Sequence, residues 1–221
     1  MTYSAELFQI KNVNKDTGEN RVKRTDEELL AELVNGDETC FVELMQRYMD
    51  PICSFAFRFV GNYDDAVDIT QETFVRVYRF SHTYNSDVRF TTWLYTIAAN
   101  LCRSELRRYR RKYGVSFSEM NSGTDDSAEW EVADTTYSPD ERIDSDHIAQ
   151  QVQSALMKLP AAYREMVILR DIQQLSYEEI AVIARVELGT VKSRINRGRK
   201  KLQEQLQGLY VEVFGSSGEK A

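Results

Sequence analysis

The sequence predicts an all-α protein: two small helical domains joined by an acidic flexible linker, the second carrying a helix-turn-helix. Three observations predict this. Apolar residues recur at three- and four-residue spacing before and after the linker, and no stretch alternates in polarity long enough for a sheet. Thr25-Asp26-Glu27-Glu28 and Ser176-Tyr177-Glu178-Glu179 are capping boxes, in which a hydroxyl accepts from the third helical N–H and a Glu reaches back to the cap. Charge is also segregated. Residues 1–113 hold 16 Lys and Arg against 17 Asp and Glu, residues 114–150 hold one against ten, and residues 151–221 hold 11 against eight. The net charge of −7 is therefore set by the middle segment, and the C-terminal part is basic.

The elements follow in order. Residues 1–24 are a polar lead-in, expected to be disordered. The first domain, 25–113, opens at the Thr25 cap, and Leu29, Leu30, Leu33 and Val34 mark one apolar face. A second helix starts near Asp37, runs through Phe41, Leu44, Met45 and Tyr48, is expected to break at Pro51 and resumes to Val60. Gly61-Asn62 is a turn. A third helix begins at Asp64-Asp65, where acids suit the positive end of the helix dipole, and ends near Phe80. A fourth covers about 91–111. The segment 114–147, with Ser-Gly-Thr-Asp-Asp-Ser at 122–127 and Pro139, reads as a linker whose acids could compete with DNA for basic surfaces. The second domain, 148–208, holds helices over about 148–159, 163–171, 177–184 and 190–206. The tail 209–221 is expected to fray.

Several function classes are excluded. Cys40, Cys53 and Cys102 are widely spaced and the two histidines, His82 and His147, lie far apart, so the grouped ligands of a zinc site are missing and no cofactor is expected. The same scarcity suits a reducing cytoplasm. Met1–Ile10 lacks the pattern of a secretion signal, and no apolar run approaches the ~18 residues of a membrane span. A cytoplasmic protein without membrane insertion is expected.

Ile180, Ala181, Ile183 and Ala184 form a small apolar face, and Leu188-Gly189-Thr190 opens a second helix with Val191, Ile195 and Leu202 inward. So short a connection imposes the large crossing angle of a helix-turn-helix. The second helix presents Lys192, Ser193, Arg194, Asn196, Arg197, Arg199, Lys200 and Lys201. Its first turns are where such helices enter the major groove, and Thr190 near the N-cap could offer hydroxyl and backbone N–H to a phosphate. Ser176-Tyr177-Glu178-Glu179-Ile180-Ala181, with Gly189-Thr190-Val191-Lys192-Ser193-Arg194 following and Leu159-Pro160-Ala161-Ala162-Tyr163-Arg164 preceding, closely resembles region 4 of extracytoplasmic-function sigma factors. The resemblance implies reading of a −35 promoter element, with Lys192, Ser193, Asn196 and Arg197 at base edges and Thr190, Arg194 and Arg199 nearer phosphates. The chain departs from the family at Arg185 and Glu187, where Gly and Pro are frequent. A left-handed backbone at Arg185 would cost on the order of 1 kcal/mol.

In the first domain, Asp68 and Glu72 share a helix face with Asp65 one turn earlier, while Val67, Phe74 and Val77 partly define the buried side. No phosphate loop or metal partner accompanies the acids, so a protein-binding face is the better reading than a catalytic one. The stretch 65–79 resembles region 2.2 of the same family, which docks on the polymerase β′ clamp helices; by resemblance Asp68, Gln71, Glu72 and Arg76 bind core polymerase. Val67 departs from an acid common there. Phe90-Thr91-Thr92-Trp93-Leu94-Tyr95-Thr96-Ile97-Ala98-Ala99-Asn100-Leu101 precedes a basic run in which Arg103, Arg107, Arg110 and Arg111 share a side, widened by Arg108 and Lys112. This resembles regions 2.3 and 2.4, which melt the −10 element and hold its non-template strand. The implied −10 contacts are Tyr84, Asn85, Trp93, Asn100, Arg103, Arg107, Arg108 and Arg111, with His82 a further candidate in the 81–89 loop, although the helical spacing of Trp93 favours packing in the core over contact with DNA. The implied partners are the β′ and β subunits of core RNA polymerase, promoter DNA and an anti-sigma factor, and no reaction is catalysed. A stand-alone helix-turn-helix regulator would explain residues 177–201 but leave 65–79 and 91–100 unused.

Overall fold

The computed structural model describes residues 24–112 and 143–214, with side chains over 24–112 and 147–209. All regular elements among them are helical: α1 (Asp26–Val34), α2 (Glu38–Val60), α3 (Tyr63–Phe80), a 3-10 turn (Ser81–Thr83), α4 (Phe90–Lys112), α5 (Ile143–Lys158), α6 (Ala161–Val167) running into a π turn (Ile168–Ile172), α7 (Tyr177–Ala184) and α8 (Leu188–Phe214). The expected linker acids at 114–142, most of the lead-in and the end of the tail lie outside the described residues.

Both capping boxes form. Thr25 Oγ accepts from Glu28 N at 3.2 Å while Glu28 returns to Thr25 N at 2.8 Å, and Ser176 and Glu179 repeat the pair at 3.2 and 2.8 Å. The break expected at Pro51 does not occur: α2 is one helix with Pro51 inside. An interior proline costs about 3 kcal/mol, which the burial of Ile52, Phe55, Ala56 and Phe59 just beyond it offsets at roughly 1.5–3 kcal/mol per large side chain. The lead-in is ordered at its last residue. Arg24 donates to Glu32 at 2.6 Å and to Glu43 at 2.7 Å, and Arg47 ties Asp26 to Glu43, fixing α1 across α2.

Three boundaries differ from expectation in the second half. Helix α5 starts at Ile143, inside the expected linker, and α8 continues to Phe214, into the expected frayed tail. Helix α8 also begins at Leu188, so Thr190 lies inside its first turn with its N–H bonded to Glu187 O at 2.9 Å. That amide is therefore not open to a phosphate. Arg185 takes the left-handed conformation its position requires (φ 56°), and its N–H closes α7 onto Ala181 and Val182 carbonyls.

The two halves share a continuous apolar core, with α4 packed on α7 and α2 packed on α5, α6 and the π turn. Gly61, left-handed at φ 84° as the C-cap of α2, lies so close to α5 that a Cβ would stand 2.6 Å from Met157 Cε. Arg164 is buried and donates to Phe59 O at 2.7 Å, Met157 O at 2.7 Å and Leu159 O at 3.0 Å. Its guanidinium thus meets the carbonyl end of α2, where a cation suits the helix dipole. Burial pulls its pKa down to about 10, which leaves it charged at neutral pH.

Candidate protein and nucleic-acid interfaces

Helix α3 divides cleanly. Ala66, Ile69, Thr70, Thr73, Phe74 and Val77 are buried, and the two threonine hydroxyls donate to carbonyls four residues back at 2.7 Å, so their burial leaves no orphan donor. Val67 is half-buried. Asp68, Gln71 and Val75 are exposed on the opposite side, and Glu72 accepts from Arg76 Nε at 2.7 Å one turn on. Asp65 is half-buried within electrostatic reach of Asp68 and of Glu105 and Arg108 of α4; burial first, and then the Glu105 carboxylate, raises its pKa. Exposed Val75 and Tyr78, each 45 % accessible, add apolar area that the acidic pattern alone did not indicate.

Arg76 also borders a second feature. With Phe80, Thr83, Trp93, Ile97 and Asn100 it lines a hollow of about 260 Å³ between α3 and α4. Trp93 is neither wholly core nor wholly surface: its ring packs on Phe90 and Tyr84 at centroid distances of 6.2 and 5.3 Å, and the residue also lines the hollow. None of the loop residues expected in this pocket, His82, Tyr84 and Asn85, lines it; Thr83, which the sequence did not single out, does. Tyr84 instead supports Trp93 and donates its hydroxyl to Val88 O at 2.5 Å, and Asn85 pairs with Asp87 at 3.1 Å. His82 borders a different hollow with Leu33, Val34 and Tyr78.

The basic run of α4 is not one uniform surface. Arg107, Arg108 and Arg111 are exposed; Arg108 pairs with Glu105 at 2.7 Å and Arg107 donates to Ser104 at 2.9 Å. Arg103 points to the other half of the molecule. It donates to Glu165 of α6 at 2.5 Å, to Ile183 O of α7 at 3.3 Å and to Asn100 at 2.7 Å on its own helix. Glu165 is almost wholly buried, and burial pushes its carboxyl up to about 7 against the pull of Arg103 and Arg194. Tyr95 donates to Gln173 at 2.5 Å, Thr92 to Glu179 at 3.3 Å and Gln153 to Phe57 O at 3.2 Å along the same seam. Sequence periodicity missed Arg164, Glu165 and Gln173, because a charged or amide residue in an amphipathic helix is ordinarily assigned to solvent.

Cys102 lies in the core of α4, fully buried, and burial raises its thiol pKa, which keeps it protonated and unreactive.

Helix α8 buries Val191, Ile195 and Gly198 against the domain and exposes Lys192, Ser193, Asn196, Arg197 and Lys200. Gly198 permits close approach to α6, since a Cβ there would stand 2.7 Å from Val167 Cγ2. Ser193 donates back to Thr190 O at 3.0 Å, and Arg194 is half-buried near Glu165. Arg199 forms a two-pronged pair with Asp171 of the π turn, one contact at 3.0 Å, so its charge is already partly matched. Among the described residues no helix is long and apolar enough to cross a membrane.

Two family models match the chain, Sigma-70 region 2 over residues 44–112 and Sigma-70 region 4 over 149–202. The chain is 34% identical over 182 residues to the ECF RNA polymerase sigma factor SigW of Bacillus subtilis, covering 81% of this chain and 96% of that protein. Among solved structures it resembles CnrH in complex with the cytosolic domain of CnrY, with a TM-score of 0.62 and 25% identity over 83% of this chain and 97% of that one. It also resembles the sigma factor RpoE of Bartonella quintana in complex with the anti-sigma factor NepR, with a TM-score of 0.58 and 26% identity over 76% of this chain and 96% of that one. The match to region 2 leaves a stand-alone helix-turn-helix regulator without support. The chain belongs to the extracytoplasmic-function sigma factors, non-enzymatic initiation subunits that bind core RNA polymerase and recognise promoter DNA.

Proposed function

We propose a division of labour between two domains, 25–113 and 148–208. In the first, α3 holds the polymerase β′ subunit through Asp68, Gln71, Glu72 and Arg76, with exposed Val75 adding apolar contact. On α4, Arg107, Arg108 and Arg111 track the backbone of the non-template −10 strand, and the hollow beside Trp93 and Asn100 receives an unstacked base. Arg76 belongs to both surfaces, since it lines that hollow while pairing with Glu72. In the second domain, Lys192, Ser193, Asn196 and Arg197 read base edges of the −35 element from the major groove, with the Thr190 hydroxyl, Arg194 and Arg199 toward phosphates.

The observation that carries this reading is the division of α8. Its inward residues Val191, Ile195 and Gly198 are buried, and the residues expected to touch bases are exposed on the opposite side. The protein acts in the cytoplasm beside polymerase, and its relation to the Bartonella complex supports control by an anti-sigma factor. Run-off transcription with purified core enzyme on genomic fragments tests the whole: specific transcripts should appear only when this chain is present.

A further inference from the structure

We infer that Asp171, on the π turn, is a brake on sequence-independent DNA binding: it occupies the forked edge of Arg199 that would otherwise grip a phosphate. The inference rests on the reading of α8 as the −35 helix and fixes how Arg199 acts there, turning to a phosphate only by leaving Asp171. Lys192, Asn196 and Arg199 stand at i, i+4 and i+7, hence on one line along α8. Lys192 and Asn196 are exposed where the helix would enter the groove, so Arg199 lies next along that line, on the way out to the duplex backbone. Its Nε donates to Asp171 Oδ2 at 3.0 Å, and Nη2 donates to Oδ1 of the same carboxylate. A guanidinium grips a phosphate through the same two-pronged edge, so the carboxylate and a phosphate compete for it.

The backbone braces Asp171 in this place. Ile168–Ile172 form a π turn instead of continuing α6, a feature frequent at functional sites. Gln173 N closes the turn on Ile168 O at 3.0 Å, and Leu175 N bonds Leu169 O at 3.0 Å. Between them Gln174 takes a left-handed conformation (φ 57°) that a residue with a side chain rarely adopts. Arg170, beside Asp171, is clamped by donation to Leu175 O at 2.8 Å and by its seat over the Tyr177 ring, 4.9 Å from the centroid. Arg199 and Asp171 are nevertheless 46% and 34% exposed, and so open a pair contributes little to stability. Its consequence lies in what Arg199 is kept from doing. Phosphate contacts carry no sequence information, so withholding one leaves attachment more dependent on the base edges met by Lys192, Ser193, Asn196 and Arg197.

The test is fluorescence anisotropy of a labelled random-sequence duplex titrated with the full chain, from about 0.05 to about 0.3 M salt. Asp171→Asn should bind about eightfold more tightly at about 0.1 M salt and steepen the log–log salt slope by about 0.9, the contribution of one neutralised phosphate. In the Arg199→Gln background the same substitution should change binding by less than about twofold, because the residue acts through Arg199. Circular dichroism checks that every variant keeps its helix content. Equal strengthening in both backgrounds would mean plain charge repulsion by the carboxylate and would overturn the inference. An unchanged or weaker grip in Asp171→Asn would overturn it too, since the pair would then support the helix rather than restrain it. Arg197→Gln on the same duplex separates this inference from the reading beneath it. Weaker binding there with no response to Asp171→Asn removes the brake alone, whereas no response to either removes α8 as the DNA-binding helix as well.

Discussion

Arg103 of α4 and Glu165 of α6 meet at 2.5 Å, with Glu165 almost wholly buried and Arg103 about a quarter exposed. The contact joins a helix of the N-terminal half to the domain that carries the helix-turn-helix. Its pH behaviour can be read from the Glu165 carboxyl, which burial pushes up to about 7 from an ordinary value of 4.5. A raised carboxyl pKa contributes stability that is fully present below 4.5 and is lost as pH rises through about 7. Arg103 from α4 and Arg194 from α8 are the cations that face it. Glu165→Gln keeps an acceptor for Arg103 but cannot ionise, so its melting temperature should rise relative to the parent chain as pH goes from 5.5 to 8. Thermal denaturation across that range checks this; a difference that does not change with pH would remove Glu165 from the titrating groups.

The −35 contacts are tested by Lys192→Ala, Asn196→Ala and Arg197→Ala. Each removes an exposed side chain of α8 and none of its buried side. A lost base contact costs about 1–3 kcal/mol of discrimination, so initiation dependent on the −35 element should fall roughly 5- to 150-fold. Co-elution with core polymerase should be unchanged, and its loss would reassign these residues.

In the first domain, Asp68→Lys reverses a charge on the exposed face of α3 without touching its buried side. Affinity for core polymerase should drop about tenfold or more, as truncating or reversing a central charged contact does. Helix content should not change. Fluorescence anisotropy titration of labelled chain with core enzyme measures this.

Gly198→Ala probes the support of the reading helix. The added methyl would stand 2.7 Å from Val167 Cγ2, and both residues are buried. Overpacking of this kind costs about 1–3 kcal/mol, visible as a lower urea midpoint with an unchanged slope.

Much of this was legible before any coordinates. The capping boxes at Thr25 and Ser176 placed two helix starts to the residue, and the apolar face of Val191 and Ile195 oriented α8. Local rules succeed there because caps and amphipathic faces are determined within a few residues. Pro51 was misread because a local penalty was weighed without the burial beyond it, which only the tertiary fold supplies. The seam was invisible for a related reason. Arg103, Arg164 and Glu165 sit in helices whose pattern assigns such residues to solvent, and only the packing of α4 on α7 and α2 on α6 gives them partners across the two halves. Arg76 and Thr83 meet Trp93 and Asn100 across two helices, a juxtaposition that no spacing within one helix encodes.

The most direct measurement is reconstituted initiation: purified core polymerase, genomic promoter fragments, and the chain added or withheld, with co-elution on the same samples. Discrete run-off products and a stable complex with core enzyme should appear only when the chain is present. A chain that protects specific duplex sites alone, yet neither joins core polymerase nor directs any discrete transcript, would contradict its role as the promoter-recognition subunit.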